Sequence, residues 1–133
     1  AMSHFKPTFN FISPPSLRMP DEYKHFLDSK GIKYYEHEEF TDIVSEADVM
    51  YVTRVQKERF SDPMEYEQVK NSYILNNDML EHTKDNLKIL HPLPRVNEID
   101  EDVDPNPKAY YFTQALNGVY TRMAIITSIL GLK

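Results

Sequence analysis

A chain of 133 residues with 41% hydrophobic and 27% charged side chains has room for one domain with one core. Its 15 basic groups against 21 acidic ones leave a net charge of −6, which excludes the basic footprint of a nucleic-acid binder. The absence of cysteine excludes disulfides, thiolate nucleophiles and cysteine-held zinc and fits a cytoplasmic chain, and with no apolar run near ~18 residues, no signal peptide and no lipid-anchor motif, no membrane partner is expected.

Ala1 to Phe5 reads as the tail of a helix rather than a beginning. Thr8 to Ser13 predicts a strand, stopped by Pro14-Pro15. Pro20-Asp21-Glu22 opens a helix: proline suits the first turn, and acids there complement the helix dipole. Tyr23, Phe26 and Leu27 form its expected apolar face, with Gly31 as the C-terminal stop. Lys33 to His37 reads as a second strand, polar enough for a sheet edge. Phe40 to Ala47 predicts a short helix, and Asp48 to Thr53 a buried strand. Asp62-Pro63 opens a helix to about Lys70, and Asn77 to Asn86 predicts another. A strand at Lys88 to Leu90 precedes a proline- and acid-rich loop from Pro92 to Pro107. From Ala109 onward Phe112, Leu116, Val119, Met123, Ile126 and Leu130 step by four and three, so a long helix with a core-facing stripe is expected.

Alternating strands and helices imply an α/β fold with three αβα layers around a doubly wound, mostly parallel, Rossmann-like sheet. Four short strands make a thin sheet, which points to chain missing upstream. Open sheets of this kind bind ligands at the carboxyl ends of their strands. Two polar segments sit there: Thr53 to Arg59 after the strand ending near Val52, and His91 to Arg95 after the strand ending at Leu90.

In the first segment, the planar forks of Arg54 and Arg59 match a carboxylate at two points and stay charged at any working pH. Gln56 adds a neutral donor and acceptor, and Glu58 can hold an arginine in one rotamer. A solvated, salt-bridged loop is the alternative. In the second, Pro92 and Pro94 remove two amide donors and leave the carbonyls of Pro92 and Leu93 free to accept from an amino group. A cis Leu93-Pro94 bond is compatible with this sequence; the alternative is a rigid turn ending a strand.

With glycine only at Gly31, Gly118 and Gly131, no glycine-rich phosphate loop can be built. The five histidines show no metal spacing and no pairing with a nucleophile, so each reads as an ordinary surface or packing residue. Asp100 to Asp104 lacks the glycine and distal glutamate of a calcium loop and reads as a solvated loop. Arg122 either supports the site from the long helix or faces solvent.

Three segments together are specific: Thr53 to Phe60, Leu90 to Ile99, and Ala109 to Met123. They resemble the catalytic chain of the aspartate carbamoyltransferases, and the likeness extends over essentially all 133 residues, including Ser13 to Pro20. Ornithine enzymes of the same family carry a cysteine in the second loop, which is absent here. The resemblance implies an aspartate-binding domain and a transferase that moves the carbamoyl group of carbamoyl phosphate onto the aspartate amine, in pyrimidine biosynthesis. It implies that Arg54 clamps an aspartate carboxylate with help from Gln56. The carbonyls of Pro92 and Leu93 would hold the reacting nitrogens, with Pro94 fixing the turn. Glu58, Arg59 and the segment to about Tyr73, including Tyr66, resemble a closing loop. His91, Arg95 and Arg122 stand as supporting residues. No metal or organic cofactor is implied. The implied partners are L-aspartate, carbamoyl phosphate, a carbamoyl phosphate-binding domain and further copies of the complete chain in a homotrimer, to which regulatory subunits could add.

The family's carbamoyl phosphate domain, with its Ser-Thr-Arg-Thr-Arg loop, has no counterpart in residues 1–133. Nor does the aspartate domain's first strand, with most of its following helix. In a doubly wound sheet that strand belongs in the middle, so its loss is expected to leave two unpaired edges. The chain alone is therefore expected to be inactive. The competing expectation is a non-catalytic regulatory or assembly module derived from the same domain.

Overall fold

The computed structural model describes residues 2–40, 43–71 and 73–132, and only the backbone of Arg59. Two units follow one another along the chain, Ala1–Ile43 and Val44–Lys133. In the first, strand β1 (Phe9–Ile12) runs parallel to β2 (Tyr34–His37), with Phe9 opposite Tyr34 and Ile12 opposite His37. Helix α1 (Asp21–Ser29) lies in the crossover that parallel pairing requires. It begins after Pro20 with Asp21 and Glu22 in its first turn. It ends in a Schellman cap: the Ile32 amide donates to the Leu27 carbonyl and the Gly31 amide to that of Asp28, while Gly31 takes φ +62°. A side chain at that φ would be strained. Of the predicted apolar face only Leu27 is buried; Tyr23 and Phe26 are exposed.

In the second unit β3 (Val49–Tyr51) runs parallel to β4 (Lys88–Leu90), with Met50 opposite Ile89 and Tyr51 opposite Leu90. The Val52 amide extends the pairing by donating to the Leu90 carbonyl at 2.9 Å. On its other side Ile89 donates to the Lys108 carbonyl and accepts from the Tyr110 amide, so β4 is covered on both edges. Helix α2 (Pro63–Val69) starts where the Asp62 side chain accepts from the Met64 amide at 2.8 Å, as its Asp-Pro opening predicts. Helix α3 (Tyr111–Ile129) is the longest element. The core of this unit gathers Leu75, Leu87, Ile89, Val103 and Tyr111, all fully buried. An isolated parallel bridge between Leu75 and Ile99 ties the long loop to it.

Both pairs are parallel, which makes this an α/β chain. Among the described residues no strand joins the second edge of β1 or of β3. A doubly wound sheet grows in both directions from its first strand. The described strands form two separate parallel pairs, β1 with β2 and β3 with β4.

Four expectations are corrected. Met2–Phe5 is a 3-10 turn rather than the end of an α-helix. Phe40 to Ala47 forms only a 3-10 turn at Val44–Glu46, and Thr41 and Asp42 lie outside the described residues. Asn77 to Asn86 also reduces to one 3-10 turn, Asp78–Leu80. There the Asn76 side chain accepts from the Met79 amide and the Thr83 hydroxyl donates to the Leu80 carbonyl, so polar side chains take the backbone groups a helix would use. Finally, the stripe on α3 is not core: Phe112, Leu116, Val119, Met123, Ile126 and Leu130 are 50–63% exposed. Periodicity reports that a face needs cover, and the cover is not among the described residues.

Candidate functional site

The register of β3 and β4 brings two chain exits side by side. Tyr51 is opposite Leu90, so Thr53-Arg54 and His91-Pro92 leave from neighbouring carboxyl ends. This is where an open parallel sheet offers its polar groups.

From the first exit, Arg54 Nη2 donates to Glu58 Oε1 at 3.4 Å, and both side chains remain largely in solvent. The Glu58 carboxyl is held below its usual range by its own backbone amide and then by the Arg54 charge. Gln56 is exposed and precedes a 3-10 turn at Lys57–Arg59. The Arg59 side chain lies outside the described residues. Beyond it Phe60 packs on Tyr66 with ring centres 5.8 Å apart, and Lys57 Nζ sits 6.0 Å from the Tyr66 ring centre. Tyr66 is therefore held at the base of this segment rather than free in solvent.

From the second exit the backbone takes an unusual path. Leu93 has φ +48° and the Leu93-Pro94 bond is cis. A left-handed conformation costs a bulky L-residue roughly 1–2 kcal/mol, so the surroundings must hold it. They do so through His91, which is 2% exposed. Its amide donates to Gln114 Oε1 at 2.9 Å, its Nδ1 accepts from the Leu93 amide at 2.8 Å, and its Nε2 lies 2.7 Å from Glu98 Oε1. Burial pushes the Glu98 carboxyl up, but amides of Glu98, Val96 and Asn97 and the His91 ring outweigh it and bring it below the usual range.

Arg95 is turned inward. Its Nη2 donates to Asp104 Oδ2 at 2.7 Å, its Nη1 pairs with Asp104 Oδ1, and Nη1 also donates to the Tyr111 hydroxyl at 3.3 Å. The Tyr111 hydroxyl donates to Asp104 Oδ1 in turn. The acidic run is thus not merely solvated: Asp104 anchors this cluster, Val103 is fully buried, and Asp102 accepts from the Asn77 amide at 3.2 Å. Arg122 is exposed, its guanidinium folded back along α3 so that a Cβ at Gly118 would come within 2.8 Å of Nη1. Glu98, Gln114, Asp104 and Tyr111 escaped the reading of the sequence, because each meets its partner across a loop rather than at a recognisable spacing.

Exposed at the two exits are Arg54, Gln56, Pro92 and Pro94, an arginine and a glutamine beside a rigid proline turn with backbone carbonyls. That set suits a small acidic amine: cationic and amide groups for carboxylates, neutral acceptors for N–H. Among the described residues no group of three or more His, Asp or Glu is placed to hold a metal ion. No helix among them is long and apolar enough to cross a membrane.

Comparison with known proteins decides the family. The profile described as aspartate/ornithine carbamoyltransferase, Asp/Orn binding domain, matches residues 1–129. The chain belongs to the aspartate/ornithine carbamoyltransferase family. It is 62% identical over 132 residues to the aspartate carbamoyltransferase catalytic subunit of Parabacteroides distasonis, covering 98% of this chain and 43% of that protein. The corresponding subunit of Bacteroides thetaiotaomicron is 63% identical, with 99% and 42% covered. The chain therefore spans less than half the length of these carbamoyltransferase subunits. Among solved structures, the catalytic subunit of M. jannaschii aspartate transcarbamoylase aligns at a TM-score of 0.84 and 47% identity, over 93% of this chain and 41% of that one. The Trypanosoma cruzi enzyme, solved with carbamoyl phosphate and aspartate, aligns at 0.80 and 30% identity, over 90% and 40%.

Proposed function

We propose that this chain is the aspartate-binding part of an aspartate carbamoyltransferase acting in pyrimidine biosynthesis in the cytoplasm. In the complete protein the amine of L-aspartate would attack the carbamoyl carbon of carbamoyl phosphate. A C–N bond forms, the C–O bond to phosphate breaks, and the proton lost by the amine leaves with phosphate. Arg54 takes an aspartate carboxylate and Gln56 assists it. The carbonyls of Pro92 and Leu93 accept the amine's N–H groups, which leaves the nitrogen lone pair directed at the carbamoyl carbon, and Pro94 fixes that turn. Glu58 orients Arg54, while Arg59 and the segment carrying Tyr66 close over the substrates. His91 and Arg95 brace the turn from inside, with Arg122 a more distant support. Rate enhancement then comes from holding two substrates in reacting geometry rather than from a side-chain nucleophile. Carbamoyl phosphate itself would be held by a separate domain, in a homotrimer of the complete chain that regulatory subunits could join.

The observation that carries this reading is the pairing of Tyr51 with Leu90, which sets the Arg54 segment beside the His91-to-Arg95 turn in a chain of this family. An amide correlation spectrum titrated with L-aspartate tests it. Shifts confined to Arg54, Gln56 and residues 91–95, with none on adding L-ornithine, support it; a spectrum indifferent to aspartate rejects it. Formation of N-carbamoyl-L-aspartate after adding the carbamoyl phosphate domain of a close relative supports the catalytic assignment. A preformed aspartate site that never yields product favours a non-catalytic module instead.

A further inference from the structure

A backbone amide can only donate a hydrogen bond. The Leu93 amide donates to His91 Nδ1 at 2.8 Å, so in the neutral imidazole the proton sits on Nε2. Nε2 then donates to Glu98 Oε1 at 2.7 Å. The other carboxylate oxygen, Oε2, accepts from the amides of Val96 and Asn97, each at 3.1 Å. Glu98 is 5% exposed and His91 2%, so neither side chain has water to fall back on. A single carboxylate therefore fixes the ring's tautomer and its orientation, and the ring fixes the Leu93 N–H.

The consequence falls on Pro92. Its peptide bond to Leu93 is trans, and in a trans peptide the N–H and C=O point in opposite directions. With the Leu93 N–H held on the buried ring, the Pro92 carbonyl must point the other way, and Pro92 is an exposed residue. We infer that Glu98 is a positioning residue for the substrate amine: acting through His91, it sets the peptide plane whose carbonyl, on Pro92, receives that amine. This rests on the role proposed above for the turn, but the positioning itself can be read without substrate.

Glu98→Gln separates this role from mere packing. Glutamine has the same shape but one oxygen for three donors, and it brings an NH2 of its own. Either the amides of Val96 and Asn97 lose their acceptor, or the ring is driven toward the Nδ1–H tautomer, which sets two donors face to face at Leu93. The measurement is a long-range nitrogen–proton spectrum of the imidazoles of the 133-residue chain, with the amide spectrum alongside. In the wild type His91 is expected to show a protonated Nε2 and a bare Nδ1. In Glu98→Gln the Leu93 amide peak moves, with that signature lost where the glutamine turns its NH2 to the ring, and the peak's response to L-aspartate disappears while those of Arg54 and Gln56 persist. Glu98→Asp, which keeps the charge but withdraws from Nε2, takes the same readouts if the glutamine variant does not fold. A wild-type ring protonated on Nδ1 overturns the inference before any variant is made, and so does a folded variant that keeps both the tautomer and the Leu93 peak position. If the wild-type turn ignores aspartate altogether, the proposed function falls, and the ring's tautomer with the Leu93 peak still decides what Glu98 does.

Discussion

The His91 amide donates to the side-chain oxygen of Gln114 at 2.9 Å, tying the exit of β4 to the first turn of α3. Because His91 is buried, removing that acceptor leaves its N–H without a partner, at a cost of about 1–3 kcal/mol. Gln114→Leu should lower the urea stability of the chain by that amount and speed hydrogen exchange at the His91 amide. Gln114→Glu keeps an acceptor and should stay close to wild type. Equal exchange in both variants would show that the amide has another partner.

Asp104 gives an acid-side prediction. Its carboxyl is held below its ordinary 3.8, first by the hydrogen bonds from Arg95. A carboxyl with a lowered folded pKa contributes its full stability above the unfolded value and loses it as pH falls through the folded one. Wild type should therefore lose stability steadily below about pH 4, and Asp104→Asn should lose less over the same range. At pH 7 the variant should be less stable by roughly 1–3 kcal/mol, toward the low end of broken pairs because Asp104 is partly exposed. Equilibrium denaturation at pH 3 to 7 reads both.

The alkaline side belongs to Tyr111. Burial, followed by the neighbouring Asp104 carboxylate, pushes its phenol from 10.0 up to about 12. A group raised on folding contributes fully below its unfolded value, and that contribution is lost as pH rises through the folded one, here between about 10 and 12. In an ultraviolet titration Tyr111 should ionise late, at about pH 12. In Asp104→Asn it should ionise earlier, yet still late, because burial is the larger cause.

What the sequence made legible was local chemistry. Pro20 before acids, Gly31 after the last apolar residue and Asp62-Pro63 each set a helix end within a few residues, and all three appear where expected. The strand ends that present Arg54 and His91 were equally readable, because short apolar runs precede them. The helix expected at Asn77 to Asn86 failed because Asn76 and Thr83 capture its backbone groups, a competition that hydrophobic spacing does not register. The supports of the turn were invisible for a different reason. Glu98 lies 7 residues from His91, Asp104 9 from Arg95 and Gln114 23 from His91, and no periodicity links them. Only the fold brings them together.

The bare stripe on α3 makes its own prediction. Leu116 and Met123 are 52% and 56% exposed, so replacing both with glutamine removes little buried area. The double variant should change unfolding free energy by under about 1 kcal/mol, whereas Leu75→Ala, at a fully buried position, should cost about 2–5 kcal/mol. A contiguous exposed apolar face of this kind also promotes self-association. Sedimentation velocity should show concentration-dependent species in the wild type that the glutamine variant reduces. A large stability loss in that variant would mean the stripe is packed in solution.

Arg54 and Glu58 separate binding from orientation. Arg54→Ala removes the charged fork proposed to take an aspartate carboxylate, and should weaken L-aspartate binding roughly 10- to 100-fold in the titrated spectrum. Arg54→Lys keeps the charge without the planar two-point geometry and should recover only part of that loss. Glu58→Gln leaves the arginine in place but frees its rotamer, since the pair meets at 3.4 Å in solvent. Its effect should be several-fold at most, and should shrink as salt is raised, because an exposed pair is screened. The order Ala, then Lys, then Gln is what a carboxylate clamp predicts. If Glu58→Gln were the most damaging of the three, the carboxylate rather than the arginine would be the group that meets substrate, and the assignment of this segment would have to be reversed.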